Sequence, residues 1–105
     1  MTERTQLYND DAPLITLSAF KGLPSSLKFI TGEYVPPTPS QIKALRHIMG
    51  WSQTDVAKLV GVSFNHKGST AVRKWETATD KKEHNKISYS AWRGMLIAAG
   101  VVTDF

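Results

Sequence analysis

From position 39 onward, apolar residues recur at helical spacing, and each recurrence is bracketed by a start signal and a stop. Ile42, Leu45, Ile48 and Met49 share one face of a 3.6-residue repeat. Ahead of them, Thr38-Pro39-Ser40-Gln41 supplies an N-cap threonine, proline at the first helical position and glutamine at the third, which together form a capping box. Gly50 is the stop. Ser52-Gln53-Thr54-Asp55 is a second capping box, opening a helix with Val56, Ala57, Leu59 and Val60 inside and Gly61 at its end. A third helix is expected from near Ser69, holding Ala71, Val72 and Trp75. A fourth is expected from Ser88–Ser90, carrying Trp92, Met95, Leu96 and Ala99 and ending at Gly100. The charged run Asp80–Lys86 reads as the exposed connection between them.

Before position 39 the pattern weakens. Three prolines within Val35–Pro39 forbid a helix interior or a central strand, so the chain is extended there and a boundary falls at that point. The apolar runs Leu14–Leu17 and Leu27–Ile30 flank a Gly/Pro/Ser turn region. They read as two short strands or as an extended arm laid over a core. The expected organisation is an N-terminal extension over residues 1–38, serving packing or dimerisation, and a helical domain over residues 39–105. The fold class is all-α, a bundle of four to five helices with an extended N-terminal segment in which short strands are one option.

Composition narrows the chemistry. The chain of 105 residues is the length of one domain, or of a compact domain with an extension. It contains no cysteine, which excludes disulfides, thiolate metal sites and thiol nucleophiles. No apolar run is long enough to cross a bilayer, and the N-terminus lacks the basic-then-apolar order of a secretory signal, so a cytoplasmic protein is expected. The net charge of +4 is unevenly placed. Residues 1–38 carry three basic against four acidic residues, whereas residues 39–105 carry ten against five. A basic surface in the C-terminal two thirds attracts polyanions.

No Ser/His/acid order, glycine-rich phosphate loop or carboxylate pair stands out. His47, His66 and His84 are scattered without ligand spacing. The expectation is therefore no enzymatic activity, cofactor, metal or small-molecule substrate. Trp51, Trp75 and Trp92, each among aliphatic residues, read as packing residues.

The stretch Ser52–Ser63, SQTDVAKLVGVS, adds a sharper signal. Gln53, Ala57 and Gly61 stand at its first, fifth and ninth helical places. A small residue in mid-helix permits close approach of a second helix, and a glycine tolerates the positive φ of a tight turn. Val56, Val60 and Val62 occupy the inward places around them. IKALRHIMGWSQTDVAKLVGVS, followed by STAVRKWE, resembles the lambda-repressor-like, or XRE/Cro-type, helix-turn-helix regulators of bacteria, phages and plasmids. The similarity covers Ser40 to Glu76. It implies a DNA-binding domain whose second helix enters the major groove. One departure is clear: eleven positions separate Gly61 from Val72 where the family has six, an insertion of about five residues within Phe64–Ser69. Either the turn is lengthened, or the recognition helix starts earlier and bends at Gly68.

Carried over by position, the resemblance implies that Ser69, Thr70 and Lys74 face base edges, with Arg73 reaching a base or the backbone. It implies phosphate contact by Gln53, with Thr54 beside it, at a helix N-terminus. Asn65, His66 and Lys67 of the insertion fall near the same surface, and Lys43, Arg46 and Lys58 read as phosphate contacts or solvated charges. Ala57, Gly61, Val72 and Trp75 are the structural positions. The implied function is a transcriptional regulator, a repressor binding an inverted-repeat operator in double-stranded DNA as a homodimer. The alternative is a helix-turn-helix-derived protein-interaction module, such as an antitoxin or host-machinery inhibitor, which the insertion and the acidic extension motivate.

Overall fold

The computed structural model describes residues 16–105. Five α-helices follow one another: α1 Leu17–Lys21, α2 Pro39–Ile48, α3 Gln53–Val60, α4 Thr70–Trp75 and α5 Tyr89–Ala99. Two 3₁₀ turns, Pro24–Ser26 and Phe29–Thr31, lie between α1 and α2. The fold is all-α, and no helix among the described residues is long and apolar enough to cross a membrane.

Capping chemistry fixes where the helices begin. The Thr38 hydroxyl accepts the Gln41 amide, and the Gln41 side-chain oxygen accepts the Thr38 amide. Ser52 and Asp55 make the same reciprocal pair at α3, at 3.0 and 2.9 Å. Ser69 and Ser88 cap α4 and α5 through the amides of Val72 and Ala91. Each cap satisfies an amide that a helix start otherwise leaves without a partner.

The core is built around α5, whose Trp92, Met95 and Leu96 are fully buried and whose Ala91 and Ala99 are nearly so. Against them lie Ile42 and Leu45 of α2, Val56 and Ala57 of α3, and Val72 and Trp75 of α4. α3 packs on both α4 and α5. Leu59, expected inside, is exposed; Val56 and Ala57 are the residues that α3 buries. Trp51 is half-buried against the core rather than within it.

Of the two options for the N-terminal segment, short strands are not what forms. No strand forms among the described residues: Leu17 starts α1, and Phe29–Ile30 lie in a 3₁₀ turn. Leu14 and Ile15, the first half of the other apolar run, lie outside the described residues. Among the described residues, no extended segment lies alongside Leu27–Ile30 to pair with it. The backbone instead closes locally, Thr31 and Gly32 donating to the carbonyls of Lys28 and Phe29.

This segment is bolted to α5. Phe20 is fully buried, its ring tilted against Trp92 at 6.2 Å. The Trp92 indole donates to the Ser25 carbonyl at 3.0 Å. Arg93, only 3% exposed, donates to the Ser26 carbonyl at 2.7 Å and to the Asp104 carbonyl at 2.9 Å. A buried guanidinium thus joins both flanking segments of the chain to one helix. Phe20→Ala should lower unfolding stability by about 3–5 kcal/mol, the cost of an aromatic-sized cavity. Urea denaturation measures it; a loss under about 1 kcal/mol would mean the segment does not share the core.

Candidate nucleic-acid interface

Gly61 ends α3 at φ +83°, and the amides of Gly61 and Val62 both donate to the Ala57 carbonyl. An L-residue with a side chain is strained there, so the glycine is what allows the chain to reverse. The insertion then forms a tight hairpin. Asn65 and Gly68 exchange both backbone hydrogen bonds, at 2.8 and 3.0 Å, leaving His66 and Lys67 at the tip. The Asn65 side-chain oxygen accepts the Lys67 amide at 2.8 Å, which braces the turn. Gly68 sits at φ +129°. Of the two options for the insertion, the lengthened turn is the one formed, and α4 starts after it at Thr70.

α4 is six residues long and two-faced. Val72 and Trp75 point into the core, while Thr70 and Arg73 are exposed and Lys74 is half-exposed. At helical spacing, residues 70, 73 and 74 form one outward stripe. Ser69 does not belong to it. It is 3% exposed, its hydroxyl accepting from the Val72 amide and donating to the Ser63 carbonyl at 2.8 Å. The expected base-reading role is corrected: Ser69 is a buried cap, and its position just before the first turn is the reason.

Arg46 is corrected as well. Its guanidinium donates to both Glu76 carboxylate oxygens, at 2.6 and 3.0 Å, and to the Trp51 carbonyl at 3.1 Å. Both side chains are largely withdrawn from solvent. Arg46 is therefore neither a phosphate contact nor a solvated charge. Glu76, which the sequence pattern did not single out beyond its place after Trp75, also accepts the Gln53 amide at 3.2 Å. Gln53, the first residue of α3 and half-buried, has one amide hydrogen fixed by Glu76 and a second not so held. Thr54 beside it is half-buried.

Asn65, His66 and Lys67 are all exposed. Lys58 of α3 lies 5.5 Å above the Phe64 ring, a cation–π contact between α3 and the root of the hairpin. Positions 56–75 contain Lys58, Lys67, Arg73 and Lys74 and no acidic residue. Among the described residues, no carboxylate lies within salt-bridge distance of these four. Within that described part of the chain, positive charge is in excess along α3, the hairpin and α4.

The described residues hold no group of three or more His, Cys, Asp or Glu able to hold a metal ion. One cleft of about 630 Å³ lies between the start of α2 and the end of α4 and is lined by Thr38, Ser40, Glu76, Thr79 and Asp80 among others. Its one well-shielded carboxylate is already taken by Arg46. In comparisons with known proteins, no family model matches the chain and no curated protein is significantly similar to it.

The geometry at the start of α3 can be tested by substitution. Glu76→Leu leaves Arg46 buried without a counter-charge and should cost about 3–5 kcal/mol, whereas Arg46→Met combined with Glu76→Leu should recover most of that loss. Chemical denaturation of both singles and the double checks this; simple additivity would show that the pair is not coupled. At the capped start of α3, hydrogen bonding with Ser52 holds the Asp55 carboxyl below the usual carboxylate range. Its stabilising contribution is complete above about pH 4 and is lost as pH falls through the lowered native value. Thermal melts of wild type and Asp55→Asn should therefore differ at neutral pH and converge in acid. A gap that stays constant with pH would contradict a charged cap.

Proposed function

We propose that the protein is a sequence-specific DNA-binding regulator of the helix-turn-helix type, with α3 as the bracing helix and α4 as the recognition helix. One observation carries the reading: α4 presents Thr70, Arg73 and Lys74 outward from a buried Val72–Trp75 anchor, within an acid-free stretch of the chain. An exposed helix bearing cationic side chains meets the size and polarity of the major groove. Lys74 and Arg73 supply donors for guanine O6 and N7, and Thr70 a hydroxyl and methyl for a base edge or thymine. The second amide hydrogen of Gln53, at the start of α3, is the phosphate donor, oriented by Glu76.

The hairpin adds a feature of its own. Lys67 and His66 at its tip stand beside the start of α4 and make phosphate contacts that set register rather than sequence. The hydrogen bonds that fasten residues 20–35 run to α5 and to the C-terminal residues; among the described residues none reaches α3 or α4. Thr70 and Arg73 are exposed and Lys74 half-exposed.

The regulator acts as a homodimer on an inverted repeat, with half-sites about one helical turn apart, and represses by occupying its operator. Gel shifts with DNA from upstream of its own gene, across a salt series, test this. Lys74→Ala should lose discrimination at one base position by about 1–3 kcal/mol. Lys67→Ala should weaken all sequences alike and reduce the salt slope by about one contact. Absence of any shift at micromolar protein would remove the DNA reading and favour a protein-interaction module on the same fold.

A further inference from the structure

The hairpin that carries His66 is closed at two levels. At its root the Ser69 hydroxyl donates to the Ser63 carbonyl at 2.8 Å, and the same oxygen accepts the Val72 amide in the first turn of α4. Nearer the tip, Asn65 and Gly68 exchange backbone hydrogen bonds, and the Asn65 side chain holds the Lys67 amide. Phe64 ties the other side to α3 through Lys58, 5.5 Å from its ring. His66 is exposed on this braced arm, so its backbone position is set relative to both helices.

The charged residues of the adjoining elements decide what an imidazole can do there. In the hairpin itself there is Lys67; α3 brings Lys58, and α4 brings Arg73 and Lys74. The two acids nearest in sequence are already engaged: Asp55 accepts the Ser52 amide, and Glu76 is held by Arg46. Among the described residues, no carboxylate lies within salt-bridge distance of His66. The other two imidazoles have partners within the fold. His84 Nδ1 lies 2.8 Å from the Thr77 carbonyl, and His47 Nε2 lies 3.3 Å from the Arg46 guanidinium. An imidazole is the side chain whose charge changes between about pH 5 and 8. A like charge opposes its protonation, whereas a phosphate oxygen favours the charged ring and accepts a charge-assisted hydrogen bond from it.

We propose that His66 is a proton-dependent phosphate contact, so that each hairpin takes up a proton as it meets DNA and the protein holds DNA more tightly in mild acid. The inference rests on the DNA-binding reading and adds to it a regulation of the same site by pH. Its sign follows from linkage. The complex binds more protons than its separate components, so affinity rises as pH falls. The gain is complete where the ring is charged both before and after binding. It is lost as pH rises through the point at which His66 releases its proton in the complex. A proton gained is also a charge gained: in acid each copy neutralises one more phosphate, and the salt dependence of binding steepens with it.

Fluorescence anisotropy of the full chain with a labelled duplex from upstream of its own gene is the test, at fixed ionic strength between about pH 6 and about pH 8. Wild type should bind about tenfold more tightly per copy at the acid end, the effect of a difference of about one unit in proton affinity between separate and bound forms. The slope of log affinity against log salt should be steeper there by about 0.9 per copy. His66→Gln keeps a polar side chain without a titrating charge; it should match wild type at the alkaline end and stay flat with pH. His66→Arg should bind at both ends as wild type does in acid. His47→Gln and His84→Gln should keep the wild-type pH dependence. A wild-type affinity that does not change with pH, or a pH dependence that survives in His66→Gln, would overturn the proton-linked contact and leave the regulator reading standing. No binding of the duplex at either end would remove the regulator reading, and this inference with it.

Discussion

The arrangement of α4 depends on one buried ion pair. Arg46, near the end of α2, and Glu76, the residue that closes α4, are 30 positions apart in the chain and meet through two hydrogen bonds. The same guanidinium holds the Trp51 carbonyl in the turn before α3, and the same carboxylate holds the Gln53 amide at the start of α3. One pair therefore sets the positions of three helix ends. Taking these charges out of water is costly, and their mutual attraction offsets that cost only because each is multiply hydrogen-bonded. What the pair contributes is geometry. With Glu76 fixed, the six residues before it can bury Val72 and Trp75 in only one rotation, and Thr70, Arg73 and Lys74 take the side that remains.

Arg93 solves a different problem with the same chemistry. It has no carboxylate of its own among the described residues: its partners are two backbone carbonyls, one from the N-terminal segment and one near the C-terminus. Carbonyl oxygens carry only partial charge, so such a site is stable only if several face the cation and water is kept away. Beside those polar contacts, Phe20 and Trp92 are both fully buried and in contact. The N-terminal segment is thus held by a large apolar anchor and specified by polar contacts. Without the anchor, the carbonyls of Ser25 and Ser26 would return to water.

Helix boundaries were legible because caps are local. Thr38, Ser52 and Ser88 begin their helices where the pattern places them, and Gly61 and Gly100 end theirs with left-handed backbone. Ser69 shows the limit of that reading. A serine before a helix is both a good cap and a good base contact by sequence, and only burial separates the two roles. Long-range pairs leave no local trace either: nothing in the neighbourhood of Arg46 marks Glu76 as its partner, and nothing around Arg93 marks the carbonyl of Ser26. Leu27–Ile30 reads as a strand or an extended arm, because its apolar run has a strand's length. With no neighbour among the described residues to complete a ladder, the chain there turned to its own preceding carbonyls instead.

These internal pairs also sharpen the charge argument. Of the ten basic and five acidic residues in positions 39–105, Arg46, Glu76 and Arg93 are committed inside, which leaves eight against four facing outward. The four acids are not spread evenly. Asp80 and Glu83 sit among Lys81, Lys82 and Lys86, Asp104 pairs with Lys28, and Asp55 caps α3. None falls between Val56 and Trp75. The excess is thus concentrated on α3, the hairpin and α4, where Lys58 already steadies the hairpin root through Phe64. Uncompensated positive charge in one stretch of a chain raises the local potential there. Lys67 lies in that stretch, at the tip of the hairpin, and the tight Asn65–Gly68 turn allows the long connection between α3 and α4 without loosening the helix that follows.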